Sequence, residues 1–347
     1  MNEARISLLP QRMVIDELFS PSALAQLSAM GEVVLNDSNE PLTEQSAIEL
    51  IRDAQVCVIS QRCPPMDASV LNAAPALGLI CYAAGSVKGI VTDDIWQRRI
   101  TLTNGAAAIA VNVAETSLAC IIIGLKNLLG MAQSTREGDW RPGGERARME
   151  WETSWFPPIR ELYDVTIGVI GVSHVGYRLI QMLQSFDLRE ILIYDPYWGA
   201  ERISELGATK VDLEDLLARS DVVTLHTPAL PETRQMLNAA RLRMMKDDAV
   251  LVNTSRGQNI DEEALIDELM KGRFLCFLDV TDPEPPIADS PLRSLPNVIL
   301  TPHLAGGTHS GKSRRRLGDL VVKEVRRFLA GEPPLYSVTQ EMLSRIG

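Results

Sequence analysis

Apolar and polar positions alternate in two long blocks along this chain. In the first block, Arg5 to Leu9 reads as a short strand and Met13 to Met30 has helical spacing. Glu32 to Leu35 is again strand-like, and Pro41 with Thr43 opens a helix that runs to Asp53. Val56 to Ser60, Leu77 to Ala84 and Ile100 to Thr103 read as further strands. Strands that alternate with helical stretches imply βαβ units and a parallel sheet. Ala106 to Leu129 is the longest helical stretch, with Gly130 as its stop. Met131 to Pro158 turns irregular, with Trp140, Pro142, Gly143, Gly144, Trp151, Trp155, Pro157 and Pro158, and reads as a long arm or linker.

The second block begins at Val165. Strands are predicted at Val165–Ile170, Ile191–Tyr194, Val222–His226, Ala249–Asn253, Phe274–Asp279 and Val298–Thr301. Helical stretches fill the gaps at Tyr177–Gln184, Leu213–Ala218, Ala239–Met244 and Glu262–Lys271. Short strands with intervening helices make a dinucleotide-fold pattern. From Gly311 to Leu329, the apolar residues Leu317, Leu320, Val321, Val325, Phe328 and Leu329 fall on one helical face.

Composition narrows the classes. The 347 residues suggest two domains at roughly 150 residues each. Hydrophobic residues at 46% and charged residues at 23% are those of a folded protein, which excludes wholesale disorder and collagen. The longest uninterrupted apolar run, Leu118 to Leu125, is far short of the roughly 20 residues of a membrane span, so no membrane partner is expected. Glu3, Arg5, Arg12, Asp16 and Glu17 interrupt any apolar leader, and a cytoplasmic location is expected. A net charge of −11 repels nucleic acid but leaves room for a small anionic substrate in a cleft with one buried arginine. The cysteines Cys57, Cys63, Cys81, Cys120 and Cys276 are odd in number and form no CxxC pair. They read as free buried thiols, and no metal site is expected.

The chemistry concentrates in the second block. Thr166-Ile-Gly-Val-Ile-Gly-Val-Ser-His-Val-Gly176 runs an apolar strand into Gly171, Ser173 and Gly176 and then into a helix. In the dinucleotide fingerprint the first glycine makes the tight turn, the second lets the backbone approach the pyrophosphate, and the third lets helix and strand pack closely. Here Ser173 holds the second position. His174 and Val175, between Ser173 and Gly176, can touch the dinucleotide through their backbone. Asp195 follows at the end of the strand Ile191-Leu-Ile-Tyr194. A carboxylate there accepts from ribose hydroxyls and repels a 2′-phosphate, which selects NAD over NADP.

Three later segments end on polar residues. Leu251-Val-Asn-Thr-Ser-Arg-Gly257 places Arg256 at a strand end; Phe277-Leu-Asp-Val-Thr-Asp-Pro-Glu-Pro285 places Asp279 at another, with Glu284 in a proline-rich loop; Val298-Ile-Leu-Thr-Pro-His303 places His303 past the last strand. Ligands of open α/β sheets sit outside the carboxyl ends of the strands, so these residues point to one edge of one sheet. Removing hydride from an alcohol carbon requires its hydroxyl proton to leave as well, and a histidine titrating near neutral pH suits that task. A neighbouring carboxylate orients such a ring, and an arginine fork fits a carboxylate and polarises an adjacent carbonyl. His226 ends a strand beside Thr227, which can line the cofactor cleft; His309 has a weaker claim.

These segments resemble the D-isomer-specific 2-hydroxyacid dehydrogenases over nearly the whole chain. The resemblance is most specific in Gly171 to Gly176, Asp195, Leu225-His-Thr-Pro with Glu232-Thr233, Asn253-Thr-Ser-Arg-Gly257, Asp279 to Pro285, Thr301-Pro-His-Leu-Ala-Gly306 and Gly331-Glu-Pro-Pro334. It implies that Arg256 binds the substrate carboxylate and carbonyl, that His303 is the acid/base, and that Glu284 is its partner. It implies that Asp279 holds the nicotinamide amide, while Thr227 and the backbone around Thr254 line the cofactor. A carboxylate-gripping loop is matched by Ala84-Gly-Ser-Val-Lys88, with Ser86 and Val87 where the family often has a second glycine. Arg62, and Trp140 in the arm, are further candidates for the substrate pocket.

The implied fold is two doubly wound parallel-sheet α/β domains with a cleft between them. Residues 1–110 and 308–347 would form a flavodoxin-like substrate domain, and residues 111–307 a Rossmann-type NAD domain, with hinge closure over a small 2-hydroxy or 2-oxo acid. Relatives use the region of the Ala106–Leu129 helix and the arm after it as a two-fold interface, so a homodimer is expected. The basic residues Lys312, Arg314, Arg315 and Arg316 read as the solvated face of a helix. Two rivals share the resemblance: an NAD-sensing binding protein of corepressor type, and an NADPH-preferring glyoxylate or hydroxypyruvate reductase, against which Asp195 argues. If the Ser173 Cβ crowds the pyrophosphate, Ser173→Gly will tighten NAD binding in a fluorescence titration; unchanged affinity would contradict that crowding.

Overall fold

A computed structural model of the chain describes residues 4–136, 159–307 and 310–346. The chain forms two compact units, Met1–Asn112 with Gly306–Gly347, and Val113–Ala305. In chain order the strands are β1 (Ala4–Leu8), β2 (Gly31–Leu35), β3 (Val56–Ile59), β4 (Leu79–Tyr82), β5 (Thr101–Asn104), β6 (Thr166–Ile170), β7 (Glu190–Tyr194), β8 (Thr209–Lys210), β9 (Val222–Leu225), β10 (Val250–Asn253), β11 (Leu275–Leu278), β12 (Val298–Leu300) and β13 (Ser337–Val338).

The first unit's sheet has the order β13-β5-β4-β3-β1-β2, parallel except for β13, which pairs antiparallel with β5. Strands β3 and β4 are buried throughout, as expected for parallel strands covered on both faces. One face packs Ile51, Val70, Leu71 and Ile95; the other packs Ile15, Leu18, Phe19, Leu27, Val321 and Val325. The helical stretch expected from Met13 to Met30 is two helices, Arg12–Leu18 and Pro21–Ser28. Ser20 breaks it: its hydroxyl accepts from the Ala23 amide at 3.1 Å, and Pro21 at the first helical position needs no N–H partner. The helix Gly311–Leu329 has the expected bounds. A Cβ on Gly318 would overlap the Leu18 carbonyl, so glycine there lets this helix lie against Arg12–Leu18. The buried Glu324 then accepts from the Leu335 and Tyr336 amides at 2.9 and 2.8 Å, which brings the tail back as β13.

The second unit's sheet is all parallel, in the order β12-β11-β10-β9-β6-β7-β8. Renumbered from its first strand, this is the doubly wound dinucleotide order with one strand added beyond the sixth. The switch point lies between β6 and β9, where the chain leaves in opposite directions. The sequence pattern missed β8 and β13, each two residues long. Two residues are too few to show an alternation of faces.

The long helix departs from expectation. It runs Ala106–Leu125, and a second helix, Leu128–Arg136, contains Gly130, which was expected to be a stop. The break falls at Asn127, which is buried and left-handed at φ 46°. The irregular stretch expected from Met131 begins inside this second helix, and Trp140 and the rest of the arm at 137–158 lie outside the described residues. Ala106–Leu125 is long and apolar enough to cross a membrane by length and composition, unlike the shorter run counted in the sequence. Yet Ala114, Ile121 and Leu125 are buried among Ile167, Val169 and Val252, and a Cβ on Gly124 would press on Val250 and Phe277. Those contacts pack one face of the helix against the second unit's sheet.

Candidate active site

The phosphate turn sits at the switch point of the second sheet. Gly171 has φ +94°, and a Cβ there would stand 2.8 Å from the Thr227 side chain and 3.0 Å from the His226 carbonyl oxygen. A Cβ on Gly176 would overlap the Gly171 carbonyl oxygen. Both glycines are therefore demanded by close approach of the turn to the helix and to the end of β9. Ser173 is the N-cap of the helix His174–Leu183, its hydroxyl accepting from the Gly176 amide at 3.4 Å. It thereby serves the helix start. Ser173 and His174 are exposed, Val175 is half-buried and Gly176 is buried. An open helix N-terminus of this kind fits a pyrophosphate.

Asp195 is buried at the end of β7. Its carboxylate accepts from the Val172 amide at 2.7 Å and from the Tyr197 and Trp198 amides at 2.8 and 3.1 Å. Those bonds tie the phosphate turn to the end of β7. Of the roughly four lone-pair sites on a carboxylate they leave one, on Oδ2, for a ribose hydroxyl. The residues present thus fit a dinucleotide. Arg202 lies 3.6 Å over the Trp198 ring. The sequence reading did not single it out, because it comes seven residues after Asp195.

Below the turn lies His226. Its Nε2 is 3.0 Å from the Thr224 hydroxyl, while its Nδ1 is buried with no partner. Burial lowers its pKa to about 3. The ring is neutral at physiological pH.

Arg256 follows β10 on a loop held by buried polar side chains. Asn253 accepts from the Ser255 amide at 3.0 Å and donates to the Arg256 carbonyl at 2.9 Å. Asn259 donates to the Thr227 carbonyl at 3.0 Å and to the Thr227 hydroxyl at 2.9 Å. It thereby ties the loop after β10 to the loop after β9. Ser117, on the long helix, donates to the Val113 carbonyl at 2.8 Å and lies 2.8 Å from the Thr254 hydroxyl. A serine has one hydroxyl proton, so Thr254 must donate to Ser117. Thr254 is left as an acceptor for anything else. Burial pushes the Arg256 guanidinium below the usual arginine value, and the charge of Glu284 opposes that shift.

His303 Nδ1 is 2.7 Å from Glu284 Oε1. An ionised carboxylate can only accept, so Nδ1 carries the proton and Nε2 is the free ring nitrogen. His303 has φ 53°, and its amide donates to the Asp279 carbonyl at 3.0 Å. The Asp279 carboxylate accepts from the Thr301 hydroxyl at 2.6 Å, the Leu304 amide at 2.8 Å and the Ala305 amide at 2.9 Å. Expected at the nicotinamide amide, Asp279 is in this structure the anchor of the loop that carries His303. Glu284 and His303 are in contact, and the Arg256 guanidinium lies within electrostatic range of Glu284.

In the first unit, Ser86 is half-buried, whereas the Val87 side chain is fully buried in the core with Ile59, Tyr82 and Ile90. Only the backbone of Val87 can meet a ligand. His309 lies outside the described residues. Among the described residues no cluster of His, Cys, Asp or Glu could hold a metal, and the cysteines are free, with Cys120 half-buried.

Sequence reasoning missed Ser117, Asn259 and Thr301 as supports. A serine inside an apolar helix signals a hydroxyl in need of a partner, so Ser117 carried a usable sign. Asn259 carried none, because only the fold shows it to be buried.

The His226 environment yields a pH prediction. Its folded pKa lies below the usual 6.5, so the stability it contributes is complete above pH 6.5 and is lost as pH falls toward about 3. The slope is about 1.4 kcal/mol per pH unit. In urea unfolding at pH 7.5 and pH 5.5, the native chain should lose about 1 kcal/mol more than His226→Gln. Equal losses would show that the buried ring is not the titrating group.

Residues 118–305 match the sequence model described as D-isomer specific 2-hydroxyacid dehydrogenase, NAD binding domain. A glyoxylate reductase of Korarchaeum cryptofilum is 31% identical over 96% of this chain and 97% of its own. A D-3-phosphoglycerate dehydrogenase of Methanocaldococcus jannaschii is 30% identical over 92% of this chain, which spans only 58% of that protein. The crystal structure of a phosphoglycerate oxidoreductase from Rhizobium etli superposes with a TM-score of 0.79 at 23% identity, over 97% of this chain and 99% of that one, a likeness of fold. The chain belongs to the D-isomer specific 2-hydroxyacid dehydrogenases and is an NAD-dependent enzyme of that family.

Proposed function

We propose that the enzyme reduces a small 2-oxo acid to the 2-hydroxy acid, with His303, Glu284 and Arg256 as the catalytic groups. The observation that carries this reading is the 2.7 Å His303–Glu284 contact, with Arg256 close enough for its guanidinium to feel Glu284. NADH, when bound, supplies hydride to C2 of the substrate. His303 Nε2 holds the proton that the C2 oxygen takes up, and Glu284 steadies the imidazolium before transfer. Arg256 fixes the substrate carboxylate and stabilises charge developing on the C2 oxygen. Its partial burial strengthens both effects, since water screens them less. In the oxidative direction His303 receives the hydroxyl proton at the same nitrogen.

Gly171, Ser173, His174, Val175 and Gly176 would cradle the pyrophosphate, and Asp195 would take a ribose hydroxyl. Thr227, Thr254 and the remaining Asp279 lone pair would line the nicotinamide half. The loop of Ser86 and Val87 would offer backbone amides to the substrate carboxylate, giving the first unit the substrate-binding role. We also propose a homodimer through the apolar Ala106–Leu125 region, supported by Leu128 and Leu129, each 47% exposed just beyond it. Light scattering at micromolar concentration should give twice the chain mass; a monomer would remove the dimer. In an absorbance assay of 2-oxo acids with NADH, His303→Ala should lower kcat by about 10²- to 10⁴-fold with an unchanged Tm. Native turnover in that variant would overturn the assignment.

A further inference from the structure

Glu284 is exposed, so its side chain is not packed into place. Where its carboxylate points depends on how the backbone of residues 281–287 is held. Pro283, Pro285 and Pro286 have no N–H, so from residue 282 to residue 286 only Asp282 and Glu284 can donate from the backbone. The Asp282 amide donates to the Glu262 carboxylate at 3.0 Å. The Thr281 hydroxyl donates to the Pro283 carbonyl at 2.8 Å. At the far end the Arg293 guanidinium donates to the Pro286 and Ile287 carbonyls.

Glu262 opens the helix Glu262–Met270, where an acidic residue is ordinary. The helix start does not need it, because Asp261 is the N-cap and accepts from the Ala264 amide at 3.2 Å. Glu262 reaches instead to a residue 20 positions along the chain. Its surroundings work against its charge. Burial pushes the Glu262 carboxyl above its usual value, the bond from the Asp282 amide opposes that, and the Asp282 charge adds to it. A carboxylate kept where its charge is disfavoured, and not required by its own helix, points to a role in the loop it holds. That loop also borders the arginine loop: a Cβ on Gly257 would overlap the Thr281 carbonyl. Glu262 therefore holds the point where the loops of Arg256 and Glu284 meet.

We propose that Glu262 is a positioning residue for the reaction: through the Asp282 amide it aims the Glu284 carboxylate at His303 Nδ1. The proposal rests on the reading above that His303 and Glu284 act as a pair. No atom of Glu262 takes part in the reaction. Without its hydrogen bond the Asp282 amide is released and Glu284 turns away from the ring part of the time. The imidazolium is then stabilised less, and proton transfer slows.

The charges around this corner are Glu284, Asp279, Arg256, Asp282 and Glu262. Three variants separate the Glu262 hydrogen bond from its charge. Glu262→Ala removes both. Glu262→Gln removes the charge and keeps an acceptor oxygen for the Asp282 amide. Glu262→Asp keeps the charge and draws it back by one methylene. The first readout is an NMR titration of the cofactor-free full chain, following the His303 ring proton identified by its loss in His303→Gln. The titration should move to lower pH in Glu262→Ala and Glu262→Asp, and should stay near the native position in Glu262→Gln. The second readout is steady-state kinetics with NADH and a panel of 2-oxo acids. Glu262→Ala and Glu262→Asp should lower kcat by about 10- to 100-fold, with KM changed much less and NADH binding by fluorescence unchanged. Glu262→Gln should recover most of that loss, with a Tm no lower than native. Equal shifts of the titration in Glu262→Ala and Glu262→Gln would reveal a charge acting at a distance and would overturn the proposal. A native titration in Glu262→Asp, or a loss of kcat matched by weaker NADH binding, would overturn it too. Absence of turnover in the native chain would overturn the reductase reading instead, and the titration would still decide the positioning role.

Discussion

A single buried carboxylate holds the loop that carries His303 in shape. Asp279 accepts from the Thr301 hydroxyl and from the Leu304 and Ala305 amides, while its own carbonyl takes the His303 amide. Those bonds fix the residues on both sides of His303 and hold it at φ 53°, a conformation a free histidine seldom adopts. The imidazole then meets Glu284 from the preceding loop. Backbone strain of this kind persists only where surrounding contacts over-determine it, and here four hydrogen bonds to one residue do so. Pre-organisation follows, because the ring need not search for its partner when substrate arrives.

A second set of buried polar groups does the same for Arg256. Asn253, Asn259 and Ser117 are each fully buried, and each makes a side-chain hydrogen bond to the loop after β9 or β10. In a low-dielectric interior such bonds are strong, and leaving one group unpaired is costly. The arrangement makes the Arg256 loop stiff at the carboxyl edge of the sheet. The same edge carries the phosphate turn, whose glycines are required by the approach of Thr227, His226 and Gly171. Cofactor cradle, arginine loop and histidine loop are therefore three consequences of one strand order.

Much of this was legible in the sequence. Buried parallel strands appear as short apolar runs, so β6, β7, β9, β10, β11 and β12 were found to within about a residue. The site residues lie at the ends of those runs, which is why Arg256, Asp279 and His303 could be placed on one edge. The departures have physical causes. Strands β8 and β13 are too short to carry a period. The long helix ends early at the left-handed Asn127, and apolar periodicity does not register a backbone break of that kind. Long-range polar partnerships such as Ser117 with Thr254, or Asn259 with Thr227, join residues far apart in sequence, and no local pattern encodes them.

The most direct measurement is a crystal structure of the enzyme with NADH and oxamate, an unreactive mimic of a 2-oxo acid. The account requires His303 Nε2 within hydrogen-bonding reach, about 2.6–3.2 Å, of the oxamate carbonyl oxygen, with Arg256 on its carboxylate and Glu284 still on Nδ1. Oxamate bound with the imidazole turned away, or with Glu284 detached from it, would contradict the account.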